Sequence, residues 1–199
     1  MRALDQVRKA AGDKRSLILD SARQLFRQHG YKRTSMDDIA RDAGVAKGTL
    51  YIYFPSKEQL FIAVSQQFHD GMMEKLRAAA ALDLPLTEKM IVLMDSRIGE
   101  ILRWKSATPH AQDLIATYQR LIEGSEKSAQ EEFRALVAKT LKEGVRRGEA
   151  DPKAAGLSFD AAVDTLIASA AGAAWRCQPG IFAEQLVHSL RLCLRGMQP

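Results

Sequence analysis

The stretch TSMDDIARDAGVAKGTLYIYFPSK, residues 34–57, decides the fold of this 199-residue chain. It contains an S-x-x-D pattern from Ser35, which is typical of a helix start because the hydroxyl accepts a hydrogen bond from a free backbone N–H. We expect a short helix from about Met36 to Ala43. Gly44 then supplies the positive φ that a tight turn between two helices requires. The pattern therefore predicts a helix that leads directly into a turn.

A second short helix is predicted from about Ala46 to Tyr53, and Pro55 ends it. Leu50 and Phe54 lie four residues apart on one face, so they pack inward and leave the other faces free. The residues on those other faces are Lys47, Gly48, Thr49, Tyr51 and Tyr53. Two exposed tyrosines are unusual on a merely solvated helix, so the set favours a binding surface over a generic helical corner. Two short helices joined by a glycine turn are typical of DNA-binding proteins.

Helices are also predicted on both sides of this pair. The following helix starts after Ser56, because Gln59 three residues on completes a capping-box pattern. Lys57 falls in its first turn, where backbone N–H groups and a cation can meet one phosphate. The preceding helix is predicted from about Lys14 to His29, and we expect it to support the two short helices. Its predicted buried stripe is Ile18, Ala22, Leu25, Phe26 and His29.

The segments ILDSARQLFRQHGYKRTSMDDIA and AGVAKGTLYIYFPSKEQLF resemble the N-terminal domain of the TetR family of bacterial transcriptional regulators. The resemblance covers about residues 14–70 and rests on Ala22, Phe26, Gly30, Tyr31, Thr34, Ile39, Ala40, Gly44, Val45, Gly48, Leu50, Tyr51, Phe54, Lys57, Leu60 and Phe61. It implies an all-α homodimer, with an N-terminal three-helix helix-turn-helix domain and a C-terminal helical bundle. It also implies a sequence-specific transcriptional regulator, most often a repressor that a small ligand releases from a palindromic operator.

The same resemblance implies which residues contact DNA. The implied phosphate contacts are Thr34, Lys47, Thr49, Tyr53 and Lys57. Tyr51, Thr49 and Lys47 face the major groove, where they touch base edges or thymine methyls. Ser35 and Gly48 complete the predicted DNA-binding set. Ile52 departs from the family pattern, because relatives often carry Tyr, His or Arg there, so the resemblance leaves open whether it contacts a base.

Positive charge is concentrated in the same part of the chain. The net charge is +5; residues 1–60 contain 12 Lys/Arg and 7 Asp/Glu, whereas residues 61–199 contain 17 of each. A basic head on an electrically neutral body is expected of a protein that binds a polyanion such as DNA. Membrane surfaces attract the same charge, but no apolar run reaches the roughly 18–20 residues that a membrane span needs. With no signal-peptide core at the N-terminus, we expect a cytoplasmic protein.

The remaining sequence carries helical patterns. Residues 56–81 predict one long linking helix, and LDLPL at 82–86 ends it. Further helices are predicted at 87–104, 111–122, 126–147, 154–176 and 180–195, which gives about nine in all. We therefore predict a DNA-binding domain over residues 1–56, with flexible first residues, and a C-terminal ligand-binding and dimerisation domain over residues 57–199.

The last two helices have wide apolar faces rich in small residues, which burial in the core of a monomer would explain as well as an interface between subunits. The family resemblance favours a homodimer interface of four helices. Dimerisation suits DNA reading, because two copies about one DNA turn apart read a palindrome. The resemblance also implies a cavity in the body for an effector, a small molecule of unknown identity. Candidate lining residues are Met90, Met94, Trp104 and Phe133, which at helical spacing are also typical core residues. Candidate polar anchors are Asp95, Arg97, Asp113 and Asp164.

No pattern of catalytic residues is present in the sequence. The histidines, at positions 29, 69, 110 and 188, lack metal-binding spacing. Cys177 and Cys193 lack C-x-x-C spacing, so we expect free thiols. We therefore predict no catalytic residues, no metal and no cofactor. Two rival interpretations are an all-helical enzyme and a helical module that binds another protein through the tyrosine edge.

Overall fold

The computed structural model describes residues 2–122, 125–175 and 179–199, except for the side chains of 2–12, 125–127 and 179–180. Within these ranges no strand is present. The helices are α1 (Arg2–Arg33), α2 (Met36–Asp42), α3 (Lys47–Tyr53), α4 (Lys57–Ala81), α5 (Leu86–Met94), α6 (Glu100–Ser106), α7 (Ala111–Leu121), α8 (Ser125–Arg146), α9 (Phe159–Trp175) and α10 (Pro179–Arg195). A π-helical segment, Asp95–Gly99, joins α5 to α6 without a break, so the described residues form nine helical rods. The all-α prediction is confirmed.

α1 is longer than predicted at both ends. It begins at Arg2 rather than at Lys14, because the residues before Lys14 are mostly strong helix formers and include no proline. It ends at Arg33, but Gly30 interrupts the helical backbone with φ 79 and ψ 167. The predicted end at His29 therefore coincides with this break. The flexibility expected for the first residues stays a prediction.

α9 starts later than predicted. It begins at Phe159 rather than at Ala154. The intervening residues form a 3-10 turn, Pro152–Ala155, which Gly156 closes with φ 69. A residue in the left-handed region ends a helix, so the chain must start a new one after Gly156. The predicted end of this helix at Arg176 lies outside the described residues.

The chain forms two compact units. The N-terminal unit consists of Met1–His69 and Thr108–Glu123, and the C-terminal unit consists of Asp70–Ala107 and Gly124–Pro199. The first part of α4 therefore lies in the N-terminal unit, which also contains α7. The predicted division of DNA binding and ligand binding at residue 57 stays a prediction.

In the N-terminal unit, α1 packs against α2 and α7. The buried side chains include Ile18, Leu19, Ala22, Phe26, Ile39, Leu50, Phe54, Leu60, Phe61 and Leu114. His29 was predicted in this stripe, but it is exposed because the backbone leaves the helical path at the next residue. Full burial of one such apolar side chain stabilises the fold by roughly 1.5–3 kcal/mol. Leu50 on α3 and Ile39 on α2 therefore fix the two short helices to this core.

The C-terminal unit has a continuous apolar core, to which α4, α5, α8, α9 and α10 contribute. Its buried members include Met73, Leu76, Met90, Leu93, Met94, Phe133, Val137, Leu166, Leu186 and Leu190. One charged side chain, Lys89 of α5, is buried at the edge of this core. Its ammonium lies 3.0 Å from the carboxylate of Glu143 on α8. The hydrogen bond from Lys89 holds the pKa of Glu143 below its ordinary value.

The cysteine prediction is confirmed for one of the two thiols. Cys193 is free, and its Sγ lies 3.6 Å from the Ser169 hydroxyl. Cys177 lies outside the described residues. Among the described side chains, no three His, Cys, Asp or Glu residues are grouped as metal ligands. In the described part of the chain, no helix combines the length and the apolar character needed to cross a membrane.

Candidate nucleic-acid interface

α2 starts with the predicted capping box. The Ser35 hydroxyl accepts a hydrogen bond from the backbone N–H of Asp38 at 3.1 Å. The Asp38 carboxylate accepts from the Ser35 hydroxyl at 2.5 Å and from the Ser35 backbone N–H at 3.3 Å. These bonds from Ser35, together with the charge of Arg41, hold the pKa of Asp38 below its ordinary value. The start of α2 is therefore fixed by its own first turn.

The turn between α2 and α3 has the predicted glycine geometry. Gly44 has φ 64, a left-handed conformation that costs other residues about 1–2 kcal/mol. Its backbone N–H donates to the Arg41 carbonyl at 3.2 Å. The Val45 N–H donates to the Ala40 carbonyl at 3.0 Å. These bonds, with the burial of Leu50, set the position of α3 against α2.

α3 presents an open outer face. Successive residues of an α-helix are about 100° apart, so Gly48 and Ile52 lie opposite the buried Leu50 and form one ridge. Thr49 and Tyr51 flank this ridge on its two sides. Ile52 is 81% exposed and Tyr51 is 40% exposed, whereas Thr49 is half-buried. The exposed surface of α3 is therefore centred on the Gly48–Ile52 ridge.

Lys47 lies at the start of α3, next to the start of α2. Its ammonium is 2.7 Å from the Asp37 carboxylate, which raises the pKa of Lys47. Both side chains are exposed, so this pair is weak, and the contact of Lys47 with a phosphate stays a prediction. Asp37 lies in the first turn of α2 and Lys47 is the first residue of α3, so this ion pair joins the starts of the two helices. Tyr53, at the other end of α3, is half-buried.

Lys57 fastens the start of α4 to the end of α1. Its ammonium donates to the backbone carbonyls of Tyr31 and Thr34, at 3.0 Å each. It also lies 4.3 Å from the centre of the Tyr31 ring, a cation–π contact. An ammonium has three N–H donors, so one remains beyond these two bonds. Lys57 therefore has a role in the fold, and its contact with a phosphate stays a prediction.

The side chain of Thr34 lies away from the predicted DNA surface. It is 2% exposed, and its hydroxyl donates to the Gly30 carbonyl at 2.8 Å. This hydrogen bond gives the Gly30 carbonyl, at the break in α1, a partner just beyond the end of the helix. The hydroxyl is therefore bonded within the fold, and the contact of Thr34 with a phosphate stays a prediction.

A contact that sequence reasoning missed ties α7 to the end of α1. The backbone N–H of Tyr31 donates to the Asp113 carboxylate at 2.9 Å, and its hydroxyl donates to Glu58 at 3.0 Å. Burial, with the bond to Glu58, raises the pKa of Tyr31 to about 12. The Tyr31 ring also packs against Phe26 and Phe61, with centres 5.7 and 5.1 Å away. Tyr31 and Asp113 are 82 positions apart, so no local pattern marks the pair.

The candidate effector residues lie in the C-terminal unit. The fully buried ones are Met90, Met94 and Phe133, and Trp104 is half-buried. The first three belong to the continuous apolar core. Their role in ligand binding stays a prediction.

The candidate polar anchors have partners within their own units. Asp95 pairs with Arg103 at 2.9 Å, Asp164 with Arg134 at 2.9 Å, and the Arg97 guanidinium lies 5.4 Å from the centre of the Phe133 ring. Asp113 accepts from the Tyr31 backbone, as described above. Each of these four side chains therefore has a contact within the protein. Their role in binding a ligand stays a prediction.

Known proteins are similar to this chain in both sequence and fold. The family model of bacterial regulatory proteins of the tetR family matches residues 18–64. The uncharacterized HTH-type transcriptional regulator YhgD of Bacillus subtilis is 29% identical over 144 residues, 70% of this chain and 73% of that protein. The HTH-type transcriptional repressor KstR2 of Rhodococcus jostii is 32% identical over 139 residues, 68% of this chain and 67% of that protein. The chain belongs to the TetR family.

The TetR-family fold extends over nearly the whole chain. A crystal structure of a TetR/AcrR-family transcriptional regulator from Thermobifida fusca is 27% identical and covers 94% of this chain and 100% of that chain, with a TM-score of 0.68. Some other curated relatives match over only 64 to 70 residues, and this chain spans 22% to 33% of their length. As a TetR-family member, the chain is a helix-turn-helix transcriptional regulator, in which α2 and α3 are the helix-turn-helix.

Proposed function

We propose that this TetR-family regulator binds a palindromic DNA operator sequence-specifically, represses transcription there, and is released by a small apolar or amphipathic ligand. The observation that carries DNA binding is the outer face of α3, where Tyr51 and Ile52 are exposed. A helix presented in this way fits the major groove, which is about 12 Å wide. The surplus of positive charge in residues 1–60, 12 basic against 7 acidic residues, supports a polyanionic partner.

The proposed DNA contacts divide by position. Tyr51 and Thr49 flank the ridge of α3 and reach base edges, while Gly48 lets the backbone approach closely. Lys47 exchanges its exposed partner Asp37 for a phosphate. The proposed DNA-contacting set is Ser35, Lys47, Gly48, Thr49, Tyr51, Tyr53 and Lys57. Thr34 acts through the fold of α1, because its side chain is buried.

A homodimer through α9 and α10 is part of the proposal. The two helices pack against each other and leave apolar and small residues exposed, beside polar ones such as Gln185 and Arg195. On α9 the exposed residues include Thr165, Ala168, Gly172 and Trp175, and on α10 they include Ile181, His188 and Leu192. Trp175 is 90% exposed and Leu192 is 75% exposed. Large apolar side chains grouped on a surface are typical of an interface between subunits.

Repression and release by a ligand are supported by the family and by the composition of the core. KstR2, the relative at 32% identity, is a transcriptional repressor. Methionines at the centre of the C-terminal core, Met73, Met90 and Met94, are flexible enough to repack around an apolar guest. The ligand acts by favouring a dimer whose two α3 helices are wrongly spaced for DNA. The operator then weakens ligand binding by the same factor by which the ligand weakens operator binding. We place this activity in the cytoplasm, with no catalytic step and no cofactor.

The test of DNA binding is fluorescence anisotropy with labelled duplexes across a salt series. One duplex is the intergenic DNA upstream of the protein's own gene, and the other is a scrambled duplex of equal length. We expect preference for the upstream DNA and an affinity that falls steeply with salt. Tyr51→Ala should remove the preference. Leu82→Ala, a change of a large apolar residue that is 42% exposed and lies outside α3, α9 and α10, is the control and should keep it.

The proposal fails if the protein binds every duplex equally and weakly. Because the operator can lie elsewhere in the genome, a library of random duplexes is selected in parallel. Recovery of an enriched sequence supports the proposal. Recovery of no sequence, together with equal binding to the two defined duplexes, contradicts it.

A further inference from the structure

We propose that Ile52 reads DNA sequence by contacting the C5-methyl groups of thymines in the major groove. This inference rests on the proposed DNA-binding function and adds a residue that determines its specificity. The ridge of α3 that faces away from the core is made by Gly48 and Ile52, four residues apart on one side of the helix. Of these two, Ile52 alone carries a side chain.

The position of Ile52 follows from the burial of Leu50. Leu50 is completely buried, so it marks the side of α3 that faces the core. Ile52 lies two residues on, about 200° around the helix, and is therefore near the opposite pole. Its exposure of 81% agrees with that position, and it exceeds the 40% of the neighbouring Tyr51. When α3 enters a groove, Ile52 is the side chain that reaches furthest in.

The chemistry of the side chain limits what it can recognise. An aliphatic group makes no hydrogen bond and no ionic contact with a phosphate, so it cannot act as a general DNA anchor. The edges of the base pairs in the major groove carry donors and acceptors, and the thymine C5-methyl is their apolar feature. Ile52 is also branched at Cβ, so little side-chain freedom is lost when it is fixed against a methyl group. These properties select thymine as the base that Ile52 favours.

Gly48 makes the approach possible. If a Cβ were added at Gly48, no described heavy atom beyond its chain neighbours and the adjacent helix backbone would lie within 4 Å of it, so the glycine is not required by internal packing. Because Gly48 has no side chain, nothing projects from this side of α3 one turn before Ile52. The helix can therefore lie close to the base edges at Gly48 while Ile52 extends into the groove.

Charge favours DNA over an apolar protein partner for this ridge. The accessible residues next to Ile52 around α3, Thr49 and Tyr51, carry hydroxyl groups, and Lys47 lies at the start of the same helix. Residues 1–60 carry 12 basic and 7 acidic residues, while the rest of the chain is balanced at 17 of each. One exposed aliphatic side chain within a polar, basic surface matches the major groove, where methyl groups stand among polar base edges.

The test removes the methyl groups from the DNA one at a time. A duplex selected from a random library with the wild-type protein is remade with uracil in place of each thymine in turn, which deletes only the C5-methyl. For the wild-type protein we expect uracil at one or two positions in each half-site to weaken binding by about fourfold, the factor that corresponds to one buried methyl group. For Ile52→Ala we expect the same uracil substitutions to have no further effect.

Two further variants keep the test interpretable. Ile52→Val retains two methyl groups near the DNA and should keep part of the uracil effect. Leu17→Ala removes another exposed aliphatic side chain, 52% exposed on α1, and should keep all of it. The exposure of Ile52 and the high helix propensity of alanine mean that Ile52→Ala should fold normally, which circular dichroism checks.

The outcomes separate this inference from the function on which it rests. If no duplex is enriched, DNA reading itself fails. If a duplex is enriched but uracil has no effect anywhere, or has the same effect in Ile52→Ala as in the wild type, then Ile52 does not read thymine. In that second case, the proposed DNA-binding function still stands.

Discussion

Gly30 occupies a backbone conformation, φ 79 and ψ 167, that residues other than glycine essentially do not adopt. A Cβ at this position would also lie 3.0 Å from the Asp113 carboxylate. We predict that Gly30→Ala lowers the free energy of unfolding by about 1–3 kcal/mol, as measured by urea denaturation. Gly48→Ala is the matched control, because Gly48 is helical and unobstructed, and its stability should be unchanged or slightly higher. Equal stability of the two variants would contradict this account of Gly30.

Lys57 and Lys47 have different roles, although both are predicted to contact DNA. Lys57→Met leaves the carbonyls of Tyr31 and Thr34 without their donor, so the free energy of unfolding should fall by about 1–2 kcal/mol. Lys47→Met breaks only an exposed ion pair with Asp37, so the free energy of unfolding should be almost unchanged.

Both lysine variants should weaken binding to all DNA sequences and reduce the salt dependence of binding, by about one unit of log–log slope for each lost phosphate contact. Anisotropy across a salt series measures this slope. An unchanged slope for Lys47→Met would remove Lys47 from the phosphate contacts.

Local residue patterns predicted the cap at Ser35 and the turn at Gly44, because both features arise within a few residues of the chain. The burial of Thr34 could not be predicted in this way. Its hydroxyl bonds a carbonyl that is placed by the break at Gly30. The contact between Asp113 and Tyr31 could not be predicted either, because the two residues are 82 positions apart in the sequence.

At the scale of helices, α5 and α8 are joined by the pair of Lys89 and Glu143. Lys89 is buried, and its ammonium lies 3.0 Å from the Glu143 carboxylate. Removing the acid leaves a buried cation, whereas removing the cation leaves a carboxylate that retains some contact with water. We predict that Glu143→Gln lowers the free energy of unfolding by about 1–3 kcal/mol and that Lys89→Met lowers it by less. The reverse order, in thermal or urea unfolding, would contradict this.

The same pair makes stability depend on pH. The pKa of Glu143 is lowered in the folded protein from the ordinary value of 4.5, first by the hydrogen bond from Lys89. Its stabilising effect is therefore present above pH 4.5 and is lost as the pH falls through the lowered pKa. The difference in unfolding free energy between the wild type and Glu143→Gln should shrink as the pH is lowered from 6 to about 3. A difference that stays constant over this range would show that Glu143 does not titrate in this way.

Helical periodicity predicted the number of helices and most of their boundaries. The starts of α1 and α9 were predicted at the wrong residues, for different reasons. α1 extends to Arg2 because helix propensity continues beyond the amphipathic pattern that marked Lys14. α9 starts late because Gly156 adopts a left-handed conformation, which a helical pattern on either side does not reveal.

At the scale of the whole molecule, the proposal requires a dimer through α9 and α10. Leu192 is 75% exposed, so Leu192→Glu should fold normally while placing a charge in the proposed interface. We predict that this variant sediments as a monomer at concentrations where the wild type is a dimer, and that it loses most of its operator affinity. Leu17→Glu, at an exposed leucine of the N-terminal unit, is the control and should remain dimeric. A dimeric Leu192→Glu would move the interface elsewhere.

The division of the chain into units was not evident from the sequence. α7 follows α6 in the chain, and its pattern resembles that of the neighbouring helices. It nevertheless packs against α1, where its Asp113 accepts a hydrogen bond from Tyr31 near the end of α1. Such an assignment depends on contacts between distant residues, which periodicity along the chain does not record.

The most direct measurement of the central claim is hydroxyl-radical footprinting of the protein on a selected duplex. The account predicts two protected patches, related by two-fold symmetry and about 34 Å apart on one face of the DNA, because each protomer places one α3 helix in the major groove. Tyr51→Ala should abolish both patches together. A single patch, or uniform protection along the duplex, would contradict a symmetric dimer that reads DNA through α3.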